Sequence, residues 1–366
     1  MSRPDVVVVG AGAIGCAAAL ELAKAGLRVT VVERGQPGCE ASGASAGMLD
    51  AAFEEPGPLV ELARASRALY PGLAEELRAA AGVDIELGQG GHFHLLTSDA
   101  EARKFAQQAE GREAGGERYV FLPADEVRRL EPRISPEIRG AIYLPETRWV
   151  NPGRLVAGLV QAAALRGVSF RLGSGVEELI RKGGRAIGVR GRGFALEAGA
   201  VVLAAGAWSG LIAGAPRTLE VRPVKGQILA LGTLPAVIRH VLYHGETYLV
   251  PRASGEVLVG ATVEQAGYDK TVTAEAVRGL LADAIAAVPA LAEAPFLRAW
   301  VGLRPITRDG EPVVGPWPDL PGLYVATGHF RKGILLAPIT ARLIRELLVE
   351  GKPSLPIAPF LPDRLL

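Results

Sequence analysis

The sequence predicts an α/β fold: a doubly wound, mostly parallel sheet joined to a second domain built on an antiparallel sheet. Three observations predict it. A complete β-α-β unit opens the chain, running from Val6 through the glycines at 10, 12 and 15 to Glu33. Two continuous apolar runs, Ala200 to Ala205 and Leu323 to Thr327, each stop at a glycine, as strands buried on both faces of a parallel sheet do. Segments 83–145 and 219–300 instead alternate apolar and polar residues, as in Thr247-Tyr248-Leu249-Val250-Pro251-Arg252. Alternation suits an antiparallel sheet with one covered face.

In the first unit, Val6-Val7-Val8-Val9 is a β-branched strand. Gly10-x-Gly12-x-x-Gly15 follows, then a helical pattern from Ala13 to Ala25, then a strand from Arg28 to Val32. That strand ends in Glu33, 18 positions after Gly15. Each part has a mechanical role in a Rossmann-like dinucleotide site. Gly10 permits a tight turn, Gly12 lets backbone approach a pyrophosphate, and Gly15 lets the helix pack close to the strand. The helix N-terminus offers free N–H groups to phosphates. Glu33 can accept hydrogen bonds from ribose hydroxyls, and an acid there disfavours NADP. This unit alone leaves NAD and FAD open.

The small residues of Ala41-Ser42-Gly43-Ala44-Ser45-Ala46-Gly47-Met48-Leu49 come next. They would let backbone pass close to a flat ring system. Periodicity predicts helices at 58–81, 99–110, 124–130, 152–166, 274–287 and 334–349. Strands are predicted near 91–96, 168–172, 200–205, 221–231, 246–251, 256–261, 296–303 and 322–327. The uncharged stretch 198–216 carries Gly199, Gly206, Gly210, Gly214 and Pro216. It reads as strand, turn and short helix rather than a membrane span. The nucleotide domain is expected to collect 1–82, 146–218 and 301–366, and the capping domain 83–145 and 219–300. Pro353, Pro356, Pro359 and Pro362 recur every third residue, which predicts an extended polyproline-II strap, with a frayed end as the alternative.

Composition narrows the function. Hydrophobic residues make up 49% of the 366-residue chain, too many for a disordered protein. Lys plus Arg (40) balance Asp plus Glu (39), so no basic face for nucleic acid is implied. Two cysteines, Cys16 and Cys39, cannot build a disulfide framework, and a cytoplasmic location is expected. The histidines at 92, 94, 240, 244 and 329 are scattered. His92 and His94 share one strand face, but no Cys or acidic cluster accompanies them in sequence, so no metal site is expected.

The run Gly328-His329-Phe330-Arg331-Lys332-Gly333-Ile334-Leu335-Leu336 places a second helix N-terminus on the ligand side of the sheet. A reduced flavin carries negative charge at its N1–C2=O edge, which such a terminus stabilises. A nicotinamide develops no such charge, so the pattern favours FAD over NAD. Arg304, ahead of Pro305, ends a strand. A buried arginine there is either ion-paired or waiting for an anion, and its planar fork suits a carboxylate. Tyr248 and Arg331 are candidates for the same pocket.

At these residues the chain resembles the D-amino-acid-oxidase-like flavoenzymes, and within them the glycine oxidase group of thiamine biosynthesis. The carriers are GAGAIG (10–15), SGASAGML (42–49), VVLAAGAWSG (201–210), TYLVPR (247–252), VGAT (259–262), GLRPITRDGEPVVG (302–315) and ATGHFRKGILLAP (326–338). They span nearly the whole chain in the family's order. The resemblance implies non-covalent FAD that, beside the Gly10, Gly12 and Gly15 turn, is held by Ala13, Ile14, Glu33, Arg34, Ala41, Ser42, Ala46, Gly47, Met48 and Val176. It extends those contacts to His329, Phe330, Arg331, Lys332, Gly333, Ile334 and Leu335. It also implies that Arg304 grips a substrate carboxylate beside Tyr248 and Arg331.

The chain departs from the family at Val263, where a methionine can stand. No cysteine follows position 39, which excludes a thioether to flavin from the GLRP region. The implied activity is oxidative deamination of glycine and small glycine-like or D-amino acids, with no side-chain base. Reoxidation by O2 would give H2O2, and the imine or glyoxylate and ammonia would serve the thiazole of thiamine. The alternatives are a D-amino-acid or proline dehydrogenase feeding a quinone or protein acceptor, and a non-enzymatic nucleotide-binding sensor. A homo-oligomer is expected.

Overall fold

The computed structural model describes residues 3–50, 57–108, 113–114 and 117–366. A six-stranded sheet runs in the order Ser169–Arg171, Val29–Val32, Val6–Val9, Ala200–Leu203, Leu323–Thr327, Val313–Pro316. The first five strands are parallel, and Val313–Pro316 closes one edge antiparallel. Val6 and Val8 pack under the helices Ala13–Lys24, Pro58–Ala81, Pro152–Leu165 and Gly333–Val349. Val7 and Val9 pack into a separate core on the opposite face with Leu179 and Val189. Burial on both faces is why the run is continuously apolar.

Leu179 and Val189 belong to a three-stranded sheet of Val176–Lys182, Arg185–Gly191 and Phe194–Glu197. Periodicity did not predict it. Its charged, half-exposed strands carry only a few core residues each.

The second large sheet has eight strands. Their order is Phe296–Thr307, Val221–Gly232, Glu256–Gly260, Thr247–Pro251, Val241–His244, His92–Leu96, Gly140–Leu144, Val120–Pro123. All pairs are antiparallel except Val241–His244 with His92–Leu96. The helices Ala274–Ala287 and Ala124–Leu130 cover one face. The other face turns towards the ends of the parallel strands.

Two expectations need correction. A boundary at 300/301 would cut the Phe296–Thr307 strand, which pairs with Val221–Gly232 from one end to the other. Pro305 does not stop it because this is an edge strand of the sheet. The C-terminal prolines form no polyproline strap. Short 3-10 turns at Ala358–Phe360 and Pro362–Leu365 replace it, because Ile357, Phe360 and Leu365 dock into the two cores. The helix expected at 99–110 is observed over Asp99–Gln108, and 109–110 lie outside the described residues.

Pro338 sits inside the Gly333–Val349 helix. It has no N–H for the carbonyl of Ile334. The buried Tyr70 hydroxyl donates to that carbonyl instead. Ser66 Oγ donates to Leu335 O at 2.6 Å and accepts from Ile339 N at 3.3 Å, replacing the next helical bond. Two residues of one helix thus repair the proline break in another. Tyr70→Phe should leave Ile334 O without its partner and lower the unfolding free energy by about 1–3 kcal/mol. Urea melts of the two proteins measure this; an unchanged midpoint would mean that water or a shifted helix supplies the bond.

Candidate active site

A cavity of about 1230 Å³ lies between the C-terminal ends of the parallel strands and the open face of the eight-stranded sheet. The first β-α-β unit forms one end. A Cβ on Gly15 would lie 2.0 Å from Gly10 O, so only glycine lets helix and strand approach this closely. Gly10, with φ +104°, turns the chain beneath Ala204. Gly12 and Ile14 open the helix onto the cavity wall. Ala13 lies behind, its side chain in the core and its N–H donating to Ser42 Oγ at 3.0 Å.

Glu33 lines the wall with a fixed carboxylate. Its Oε2 accepts from Ala11 N and its Oε1 from Gly35 N, both at 2.8 Å. Each oxygen keeps a lone pair for a further donor. Arg34 lies 3.5 Å over the Trp208 ring and pairs with Glu40 at 2.5 Å.

The small-residue loop forms the next wall through Ala41, Ser42, Ala46, Gly47 and Met48, and Val176 completes it. A Cβ on Gly47 would fall 2.1 Å from Val150 O, so backbone runs directly against backbone. Arg252, reaching from the eight-stranded sheet, donates to Ala46 O at 2.7 Å and Val150 O at 2.8 Å. Burial pulls its pKa down to about 10.

From the final motif, His329, Phe330, Arg331, Lys332, Gly333 and Ile334 reach the wall, and the helix Gly333–Val349 begins there. Leu335 does not. Its side chain is buried in the core shared by the helices and the parallel sheet.

The open face of the eight-stranded sheet carries a row of side chains in register. His94 pairs with Tyr243, Tyr243 with Tyr248, Tyr248 with Gly260, Gly260 with Ile228, and Ile228 with Trp300. Gly260 makes room for the Tyr248 hydroxyl, which a Cβ would meet at 2.9 Å. Arg304 folds over the same face. A Cβ on Gly226 would lie 2.3–2.5 Å from its guanidinium atoms, so the fork rests flat on that glycine. Arg304 Nη1 donates to Thr262 O at 3.0 Å and to Lys225 O at 3.4 Å.

Among the described residues no carboxylate forms an ion pair with Arg304. Burial lowers its pKa, the like charge of Arg331 adds to this, and Tyr248 and the Glu264 carboxylate oppose it. Burial raises the Tyr248 phenol, while Arg304 and Arg331 pull it back. The structure therefore brings Arg304, Tyr248 and Arg331 into one electrostatic neighbourhood. Val263 is half exposed on the same wall.

Sequence reasoning did not find Gly226, although a glycine inside an apolar strand marks a close approach. It also did not find what stands beside His92 and His94. Asp50 Oδ2 lies 3.4 Å from His92 Nδ1, and His92 Nε2 lies 3.0 Å from His94 Nε2. His94 stacks on Tyr243 at 4.4 Å. No group that could hold a metal ion occurs among the described residues.

A family model described as FAD dependent oxidoreductase matches residues 5–347. The chain belongs to the FAD-dependent oxidoreductase family. A glycine oxidase of Geobacillus kaustophilus is 38% identical over 364 residues, covering 98% of this chain and 96% of that protein. The crystal structure of glycine oxidase from Geobacillus kaustophilus superposes with a TM-score of 0.91 at 36% identity, covering 99% of this chain and 98% of that one. The bifunctional protein ThiO/ThiG of Synechocystis is 35% identical over 99% of this chain and 54% of its own length.

The cofactor is FAD, and the cavity fits it. Two helix N-termini, an anchored acid beside the first, and glycines that bring backbone to the wall are what a dinucleotide with an anionic ring edge needs.

Burial depresses both His94 and His329 to about 3; for His94 the nearby His92 adds to this and Asp50 opposes it. Both fold as neutral imidazoles, with His329 bonded to Thr340 Oγ1 at 3.0 Å. The unfolded chain binds these protons near pH 6.5. Their stabilisation is therefore complete above about pH 6.5 and falls as pH drops towards 3, by roughly 1.4 kcal/mol per pH unit per histidine. Denaturant midpoints at pH 7 and pH 4 should lie closer together in His329→Asn than in the parent. Equal gaps would show that His329 does not contribute to acid lability.

Proposed function

We propose that the protein is an FAD-dependent oxidase of glycine and small glycine-like or D-amino acids. The observation that carries this reading is Arg304, a largely desolvated guanidinium held by two backbone carbonyls, with which no carboxylate among the described residues forms an ion pair. A cation in that state is stabilised by an incoming anion. Its planar fork selects a carboxylate that can take two parallel hydrogen bonds. Tyr248, fixed in register beside Gly260, offers a hydroxyl to the same carboxylate, and Arg331 adds positive charge. The similarity to glycine oxidases supports a small α-amino acid as the bearer of that carboxylate.

In this reading the Gly10–Gly15 turn holds the pyrophosphate of FAD and Glu33 the ribose. The 41–48 loop and the start of the Gly333–Val349 helix hold the ring system. Bound FAD supplies the acceptor for two electrons and the hydrogen from the substrate Cα. The protein supplies orientation, exclusion of water and a positive environment. Arg304 and Tyr248 fix the carboxylate end, so the Cα–N bond of a short substrate can take few directions. The cations around the pocket favour loss of the ammonium proton, and no side-chain base is needed.

Glycine, O2 and water then yield glyoxylate, ammonia and hydrogen peroxide. The likeness to the ThiO/ThiG protein supports a use of the imine product in making the thiazole of thiamine. No helix among the described residues is long and apolar enough to cross a membrane, and Cys16 and Cys39 are unpaired. Both fit a cytoplasmic enzyme.

The purified yellow protein should release peroxide from glycine, sarcosine, D-alanine or D-proline. Flavin reduced by glycine without air should reoxidise within seconds in aerated buffer. Flavin that stays reduced in air but bleaches a quinone would instead favour the dehydrogenase. Arg304→Ala should raise KM for amino acids by about 2–5 kcal/mol equivalent while FAD content stays constant. An unchanged KM would remove Arg304 from the substrate site.

A further inference from the structure

Lys225 is 1% exposed and is the one lysine in the strands of the eight-stranded sheet. It lies on the strand that carries Arg304's resting place, between Val224 and Gly226. Side chains alternate along a strand, so Gly226 presents its bare face to the Arg304 guanidinium and Lys225 leaves on the other side. There Lys225 Nζ meets Asp269 Oδ2 at 2.7 Å and Glu264 Oε2 at 3.6 Å. Both acids belong to the segment 261–273, which links the strand Glu256–Gly260 to the helix Ala274–Ala287.

That segment is fastened to the strand by more than charge. Lys225 N donates to Glu264 O at 3.0 Å and Glu264 N to Lys225 O at 2.9 Å. Gln227 Nε2 reaches Glu264 Oε1 at 2.9 Å, and Gln227 Oε1 accepts from Thr273 N at 2.8 Å. Thr262 Oγ1 donates to the same Glu264 oxygen and accepts from Gln227 N. The outcome concerns two atoms: Lys225 O and Thr262 O, the carbonyls that accept from Arg304 Nη1. One lies on the strand and the other on the segment. Their separation, and with it the aim of the guanidinium, depends on how tightly the segment is drawn to the strand.

We propose that Lys225, with Asp269 and Glu264, is a positioning latch that sets the orientation of Arg304 for carboxylate recognition. This rests on the reading of Arg304 as the carboxylate partner. Lys225 does not line the cavity. Its effect travels through the two carbonyls, so loss of the latch should blur the fork's direction without removing its charge. Carboxylate affinity should suffer, while FAD retention and the rate of a bound substrate should not.

The test uses the FAD-loaded protein and glycolate, a carboxylate without an amine, followed by the change it causes in flavin absorbance. Lys225→Met should weaken glycolate at least tenfold and raise KM for glycine in parallel, with kcat within about twofold and FAD content unchanged. Lys225→Arg should recover most of the affinity. Asp269→Asn, at an exposed position, should weaken glycolate severalfold, and it decides the matter if Lys225→Met does not fold. Glycolate binding within twofold of the parent in the folded variants would overturn the latch alone. A fall in kcat or FAD content matching the loss of affinity would overturn it too, marking a general packing role. A parent protein that binds no glycolate would overturn both the latch and the reading of Arg304.

Discussion

A guanidinium with no ion-pairing carboxylate among the described residues is the constraint around which the Arg304 end of the cavity is built. Removing a charge from water is expensive unless hydrogen bonds replace the lost solvation. Arg304 gets that replacement from two backbone carbonyls and a neighbouring phenol, none of which cancels its charge. Gly226 supplies a floor flat enough for the fork, and Gly260 supplies space for Tyr248. Arg331 stands near enough to disfavour the Arg304 cation further. The whole arrangement is more comfortable with an anion present than without one. In the proposed reading, a salt bridge to a protein carboxylate would occupy the fork and leave no place for the substrate's carboxylate.

The nucleotide side obeys a different constraint, the distance between main chains. Gly15 against Gly10 and Gly47 against Val150 are contacts that no side chain would permit. Arg252 connects the two sides. It leaves the eight-stranded sheet and binds carbonyls of the loop that flanks the nucleotide unit. The two sheets therefore share a wall whose shape is set from both directions.

Much of this was legible in the sequence. The β-α-β unit declares itself because turn, helix start and ribose acid must keep fixed spacing along a short chain. Ala200–Leu203 and Leu323–Thr327 are readable as parallel strands because burial on two faces keeps both runs almost wholly apolar. The sheet of Val176–Lys182, Arg185–Gly191 and Phe194–Glu197 was not readable, since only one side of it is covered and its strands look like solvated hairpins. Arg304 could be singled out but not interpreted. Whether it pairs with an acid depends on residues such as Lys225, Thr262 and Glu264, far away in sequence, and periodicity carries nothing about them. His92 and His94 looked isolated for the same reason: Asp50, which stands beside His92, comes from another part of the chain.

The strand order of the parallel sheet has a consequence for how the chain is made. Val6–Val9 pairs with Ala200–Leu203, which in turn pairs with Leu323–Thr327. The first β-α-β unit emerges from the ribosome early, yet one long side of its four-valine strand has no partner until roughly half the chain has been synthesised. The sheet is finished only when the last strands and helix arrive. Such non-local pairing slows folding and leaves apolar edges exposed to other nascent chains. The same four valines that make the nucleotide site rigid are thus the segment most in need of shielding during biosynthesis.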